Sequence, residues 1–175
     1  FKQACEYKLE HIAITDHHSV QAYIDIQRWT SINKNIYSSI PKLWSGIEIS
    51  GLLDGVLVHI LGFGFDVNSI YMDSYIQGVS VQGDNLDAKN IVNNIHNSNG
   101  LAFLAHPARY RSSFDKLLQK AYNLDFDGAE VWYDYTYSSS WSPTGIICDK
   151  IDFIINQKNM LPTCGTDTHG YNLLS

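Results

Sequence analysis

The sequence predicts an α/β fold in which a mostly parallel sheet carries helices on its outside. Three observations predict it. Short apolar runs alternate along the chain with stretches of helical period. Gly, Pro, Asn and Asp punctuate the boundaries between them. Residues of metal-ligand type stand just inside or just beyond the apolar runs, where strands of such folds open into a site.

The elements follow in order. Residues 1–5 read as the end of a helix, and residues 12–15 as a short apolar strand that runs into Asp16 and His17. Ser19 is placed to cap a helix reaching about Lys34, with Ala22, Ile26 and Trp29 as its core stripe. Residues 43–50, after Pro41, form the next strand, and residues 56–65 the one after it. The Leu53-Asp54-Gly55 turn between these two predicts an antiparallel hairpin. Residues 67–85 carry no clear period and read as a long loop or lid. A helix over 86–98 turns Ile91, Val92 and Ile95 inward and stops at Asn99-Gly100. A strand over 101–105 is broken by Pro107. Ser112 or Ser113 caps a helix to about Tyr122. A strand over 128–133, a helix over 144–157 and residues 161–164, leading into a last strand that ends at Gly165-Thr166-Asp167, complete the pattern. There is no internal repeat and no low-complexity tract.

The bulk properties narrow the function classes. The chain has 175 residues, 45% of them hydrophobic, enough for a proper core. The longest nearly apolar run, 56–65, is too short for a bilayer and contains His59. A net charge of −6 argues against gripping duplex nucleic acid by bulk electrostatics. An anionic substrate stays possible, because bound divalent ions invert the local field. Cys5, Cys148 and Cys164 are scattered without a paired motif, which suggests reduced thiols and a cytoplasmic protein.

Six ligand-type residues point to one rim: His17, Glu48, His59, His106, Asp167 and His169. Imidazole nitrogens and carboxylate oxygens suit zinc, manganese or iron. A carboxylate such as Glu48 can bridge two ions, and an ion pair can activate water and hold a phosphoryl oxygen. A lone His beside a strand is more often a hydrogen-bonded core group. Glu48 in an apolar strand resists that reading, since a buried carboxylate needs a cation or donors.

The motifs 12–17 (IAITDH), 46–50 (GIEIS), 59–62 (HILG), 104–107 (LAHP), 127–131 (DGAEV) and 165–170 (GTDTHG) resemble, in order, those of the PHP family, named for polymerase and histidinol phosphatase. The resemblance implies a distorted seven-stranded TIM-like β/α barrel in a single domain over residues 1–175. It implies two or three divalent ions, commonly zinc, manganese or iron. By position, His17, Glu48, His59, His106, Asp167 and His169 match family metal ligands, and all but His59 are also candidate catalytic residues. Asp16 matches a residue that orients its neighbour, and Glu130 reads best as a hydrogen-bonded structural carboxylate. The family opens with a strand ending in His-x-His, which this chain lacks, so the resemblance implies a barrel without its first strand and a chain truncated at the N-terminus.

The implied activity is metal-dependent hydrolysis of phosphomonoesters or of nucleotide and oligonucleotide phosphates. The implied partners are a small phosphorylated substrate or short single-stranded nucleic acid; no membrane and no protein partner is indicated. Two rivals stand beside it: a catalytically degenerate module of the same fold, and an amidohydrolase-type C–N hydrolase. Arg109 is a candidate phosphate clamp, with a surface pair to Asp115 as its alternative, and His18 is a second substrate-facing candidate. The aromatic run Trp132, Tyr133, Tyr135, Tyr137 and Trp141 suits lid packing better than stacking on a base or sugar.

Overall fold

The computed structural model describes residues 1–33, 36 and 39–174. Its strands are β1 (His11–Ala13), β2 (Lys42–Trp44), β3 (Gly46–Leu53), β4 (Val56–Phe63), β5 (Leu101–Leu104), β6 (Gly128–Trp132) and β7 (Leu161–Cys164). The helices are α1 (Lys2–Glu6), α2 (Gln21–Ile32), α3 (Ala88–Asn97), α4 (Phe114–Asn123) and α5 (Gly145–Gln157).

The expected closed barrel is corrected here. Among the described residues there is a two-stranded parallel sheet, β1–β2, and a five-stranded mixed sheet in the order β3-β4-β5-β6-β7. No ladder joins β7 to β1, so the sheet does not close. Nor is it mostly parallel, because the hairpin reverses direction. β4 runs antiparallel to both β3 and β5, and only β5–β6–β7 are parallel. Residues 42–53 are one run in the sequence but two strands in the fold. Ser45 divides them, its hydroxyl donating to the Phe65 carbonyl at 2.7 Å. A single bridge, His17 with Glu48, ties the end of the β1 segment to β3.

The hairpin forms as the turn residues require. Leu53 pairs with Val56, and Asp54 (φ 52°) and Gly55 (φ 79°) both adopt left-handed backbone between them. That is the two-residue turn whose twist matches paired strands.

Strand alternation then sorts the chemistry. Ile47, Ile49, Ile60, Leu104, Ala129 and Val131 share the outer face and are fully buried. They meet Ile91, Val92 and Ile95 of α3, Leu117 and Leu118 of α4, and Ile151 and Ile155 of α5 in one core. The alternate residues, Glu48, Leu61, Phe63, Phe103, Glu130 and Thr163, line the other face, which bounds a cavity of about 1690 Å³. The hydrophobic effect thus fixes the register that turns the acidic side chains inward.

Three local expectations change. Val20, not Ser19, is the N-cap of α2, and Ser19 Oγ accepts from Gln21 N one position later. The Ala22, Ile26 and Trp29 stripe is only half-buried, and the expected helix end at Lys34 lies outside the described residues. Residues 67–85 form the expected long loop up to the 3₁₀ turn Gly83–Leu86, but it is packed down, because Met72 and Tyr75 are fully buried in the main core and Asn94 donates to the Tyr75 hydroxyl at 3.1 Å. Cys5, Cys148 and Cys164 are free thiols. No helix among the described residues is long and apolar enough to cross a membrane.

Candidate metal centre

Glu48 is the centre of the rim. It is 5% exposed, and its ion-pair contacts are all with imidazoles. His59 Nδ1 lies 2.7 Å from Oε1, His106 Nε2 3.3 Å from Oε1 and His17 Nε2 3.8 Å from Oε2. A carboxylate taken out of water without a fixed cation is costly. Burial pushes the Glu48 pKa up, but the neighbouring His106 and His59 rings outweigh it and bring it down to about 2.

Each histidine reaches this point for a backbone reason. His18 N donates to the Glu48 carbonyl at 3.0 Å and Glu48 N donates to the Asp16 carbonyl at 3.1 Å. Segment 16–18 is thereby zipped in parallel to β3, with His17 and Glu48 paired. Asp16 contributes to this through its main chain. His59 pairs across the hairpin with Ser50, which sets it diagonal to Glu48 on the same face. The Tyr110 hydroxyl accepts from His59 N at 2.7 Å and donates to the Ala105 carbonyl at 3.2 Å, pinning this corner. His106 has φ 26°, a left-handed conformation held by its own N–H donating to Glu130 Oε2 at 2.8 Å.

The donors fit a divalent cation. One ligand atom from each of His17, Glu48 and His59 lies within 4.8 Å of the others. His59 Nδ1 is buried 2.7 Å from Glu48 Oε1, with no other side chain or main-chain group among the described residues to satisfy it. His106 Nδ1 is likewise buried without a partner. Two nitrogens, or three with His106 Nε2, and a carboxylate oxygen are a donor set typical of zinc and similar ions.

Asp167 and His169 sit on the adjoining edge and are arranged differently. Asp167 has φ 50°, and its Oδ2 accepts from Arg109 Nη1 at 2.5 Å and from the Tyr133 hydroxyl at 2.8 Å. His169 is largely exposed; its Nδ1 lies 2.8 Å from the Asp167 carbonyl, and its ring centroid is 6.2 Å from that of His17. The structure therefore brings His17, His59 and His106 each against Glu48, with Asp167 and His169 alongside. Arg109 faces Asp167, while Asp115 instead accepts from Ser113. His18 turns away from the rim. It is 3% exposed and its Nε2 accepts from Ser50 N at 3.3 Å. Burial and the nearby His17 and His59 hold its pKa down, which suits an acceptor.

Tyr110 and Tyr133 are the site residues that sequence reasoning missed. Tyr133 was legible only as one ring of an aromatic run, and the irregular β6–β7 pairing between Glu130 and Trp132 disguises which way it points. Other rings of the run pack on the rim: the Tyr135 ring lies tilted against Tyr133 with centroids 4.9 Å apart, and Trp141 Nε1 donates to the Gly165 carbonyl at 2.9 Å.

Glu130 lies beneath the rim and is 3% exposed. Burial, with the nearby Glu48 and Asp167 charges, pushes its pKa up to about 8 against the pull of the His106 N–H. A carboxyl with a raised folded-state pKa contributes stability that is fully present below its unfolded pKa and is lost as pH rises through the folded one. The metal-free protein should therefore lose stability from about pH 4.5 to about pH 8. At 1.36 kcal/mol per unit the loss is bounded at about 5 kcal/mol. Glu130→Gln removes this dependence, so its melting temperature relative to the wild type should rise between pH 5 and pH 9. A constant difference between the two proteins would contradict the assignment.

No protein-family model matches the chain, and no curated protein matches it. Several solved chains share its fold, among them these two. One is a protein from Bifidobacterium adolescentis, classed by inference as a metal-dependent phosphoesterase, with 17% identity and a TM-score of 0.71 over 97% of this chain and 80% of that one. The other is an amidohydrolase from Chromobacterium violaceum, solved with bound sulfate and no metal, with 14% identity and a TM-score of 0.75 over 96% of this chain and 80% of that one. The chain thus has the fold of these two proteins and, on it, a His/Glu cluster gathered on the buried Glu48 carboxylate, with the donors of a divalent-metal site.

Proposed function

We propose that the chain is a metal-dependent hydrolase acting on phosphoesters. The observation that carries this reading is the buried Glu48 carboxylate, faced by nitrogens of His17, His59 and His106. The likeness in fold to a protein classed as a metal-dependent phosphoesterase supports the choice of substrate class. So does Arg109 at the same rim, a side chain suited to a phosphoryl group.

In this reading His17, Glu48, His59 and His106 hold the first cation, and Asp167 and His169 complete a second position. Zinc, manganese and iron all suit the donors. Bound divalent ions supply Lewis acidity toward a phosphoryl oxygen and ionise a water near neutral pH. The protein's part is to fix the donors. The segment 16–18 zipper sets His17, Tyr110 sets His59, and Glu130 sets His106. The cavity beside Glu48 has room for a nucleotide-sized substrate. Small phosphomonoesters and the ends of short single-stranded nucleic acid are the substrate classes.

The amidohydrolase of the same fold carries a second reading, hydrolysis of a C–N bond. A chelator-stripped protein reloaded with Mn²⁺, Zn²⁺ or Fe²⁺ decides between them. It is assayed against aryl phosphates, nucleotides, 5′-phosphorylated oligonucleotides, amides and lactones. Metal-dependent phosphate release from the first three groups is expected. Turnover of amides or lactones alone selects the second reading, and no turnover with any metal overturns both.

A further inference from the structure

Arg109 is not presented to the cavity as a free cation. Its guanidinium is committed to a carboxylate that the proposed function assigns to a metal. Nη1 donates to Asp167 Oδ2 at 2.5 Å and lies 2.8 Å from the Tyr133 hydroxyl, which itself donates to the same Oδ2 at 2.8 Å. One carboxylate oxygen thus takes two donors in a closed triangle. Asp167 is mostly shielded, and the Arg109 side chain is about one-third exposed. Tyr133 is buried, and its hydroxyl accepts from Arg109 while donating to Asp167. The exposed Tyr137 ring stands 5.4 Å from the guanidinium carbon, a second seat to which Arg109 can lean when it leaves Asp167.

A carboxylate oxygen that accepts two hydrogen bonds, one of them charge-assisted, has little left to offer a cation. A divalent ion bound through Asp167 Oδ2 must displace the guanidinium. The displaced guanidinium then has an unsatisfied positive fork at the rim, beside a newly bound dication. Both attract an oxyanion. We propose that Arg109 and Tyr133 form a latch on Asp167, so that taking up the second divalent cation releases Arg109 to bind an anionic substrate group. Cation and oxyanion binding are then reciprocally coupled. This inference rests on the proposed role of Asp167 as a ligand. Arg109 is a binding residue for the anion and Tyr133 a positioning residue.

The test is calorimetric titration of Mn²⁺ into the chelator-stripped protein, repeated with inorganic phosphate. The wild type should bind one Mn²⁺ tightly and a second weakly, and phosphate should bind more tightly once the second site fills. Arg109→Gln removes the competitor. It should tighten the second Mn²⁺ about tenfold, within the range of ordinary coupling energies, and leave the first unchanged. It should also abolish the link to phosphate. Tyr133→Phe keeps the charge and removes one donor, and should tighten the second Mn²⁺ by a smaller factor, which a pure field effect of Arg109 does not predict. Asp167→Asn should lose the second Mn²⁺ alone. If Asp167→Asn loses it but Arg109→Gln leaves it unchanged or weaker, the latch is overturned and the metal site stands. If no variant, nor the wild type, binds a second Mn²⁺, the ligand role of Asp167 and the latch are overturned together.

Discussion

Glu48→Gln is expected to remove divalent-cation binding at the first site. The change keeps the size of the side chain and replaces the negative charge with an amide. Glu48 is the common neighbour of His17, His59 and His106, so no other carboxylate at the described centre makes these three contacts. Structural zinc sites with about four ligands bind with roughly 10–16 kcal/mol, which is on the order of 3 kcal/mol per ligand. The affinity for Mn²⁺ or Zn²⁺ should therefore fall by about a hundredfold to a thousandfold, read by competition with a chelating dye. Metal-dependent turnover should fall at least as far. The variant also tests the electrostatics without metal. A carboxylate whose folded-state pKa is depressed contributes stability that is present above its unfolded pKa and lost as pH falls through the folded one. In the wild type that window lies between about 4.5 and about 2. The metal-free variant should show a shallower acid limb there. Unchanged metal affinity would mean that the histidines suffice without the carboxylate.

Gly128→Ala is expected to cause the largest loss of stability. A Cβ at this position would stand 2.0 Å from the Leu161 carbonyl oxygen and 2.4 Å from Cε1 of Phe103. Neither neighbour can easily yield. Gly128 is paired with Leu161 in the β6–β7 ladder and with Phe103 in the β5–β6 ladder. Leu161 N is also bound to the Asp127 carbonyl at 2.8 Å. Relief requires prying two strands apart at the inner face, next to Glu130. Overpacking typically costs 1–3 kcal/mol, and a backbone clash belongs at or beyond the upper end. At roughly 2–4 °C per kcal/mol for a chain of this size, melting should fall by about 6–12 °C. Gly145→Ala is the contrast, because nothing lies within 4 Å of its added carbon. It should melt within about 2 °C of the wild type. Equal behaviour of the two variants in a thermal circular-dichroism scan would contradict the strand packing described.

Much of this arrangement was legible from local pattern. The period of 3.6 placed Ile91, Val92 and Ile95 inward, and all three are fully buried. Leu53-Asp54-Gly55 announced the hairpin, because left-handed backbone at Asp54 and Gly55 is what those residues tolerate best. Glu48 inside an apolar strand marked a carboxylate that needs a cation or donors. What was not legible depends on long-range pairing. Whether β7 meets β1 is decided by edge contacts far apart in sequence, and no periodicity encodes them; the mixed, open sheet therefore departs from the barrel that the family resemblance implied. The burial of Met72 and Tyr75 was hidden because their segment follows no regular period. His18 differs from His17 by one position, and that position reverses its facing once the parallel bridge to Glu48 forms. Arg109 pairs with Asp167 across a long sequence separation, and His106 and Asp167 both adopt left-handed backbone that no local pattern announces.

Anomalous diffraction from crystals grown with Mn²⁺ or Zn²⁺ probes the centre itself. A peak is predicted within about 2.0–2.3 Å of a Glu48 carboxylate oxygen and of ring nitrogens of His17 and His59. Saturating metal with no density between these side chains, or an ion bound only elsewhere on the surface, would contradict it.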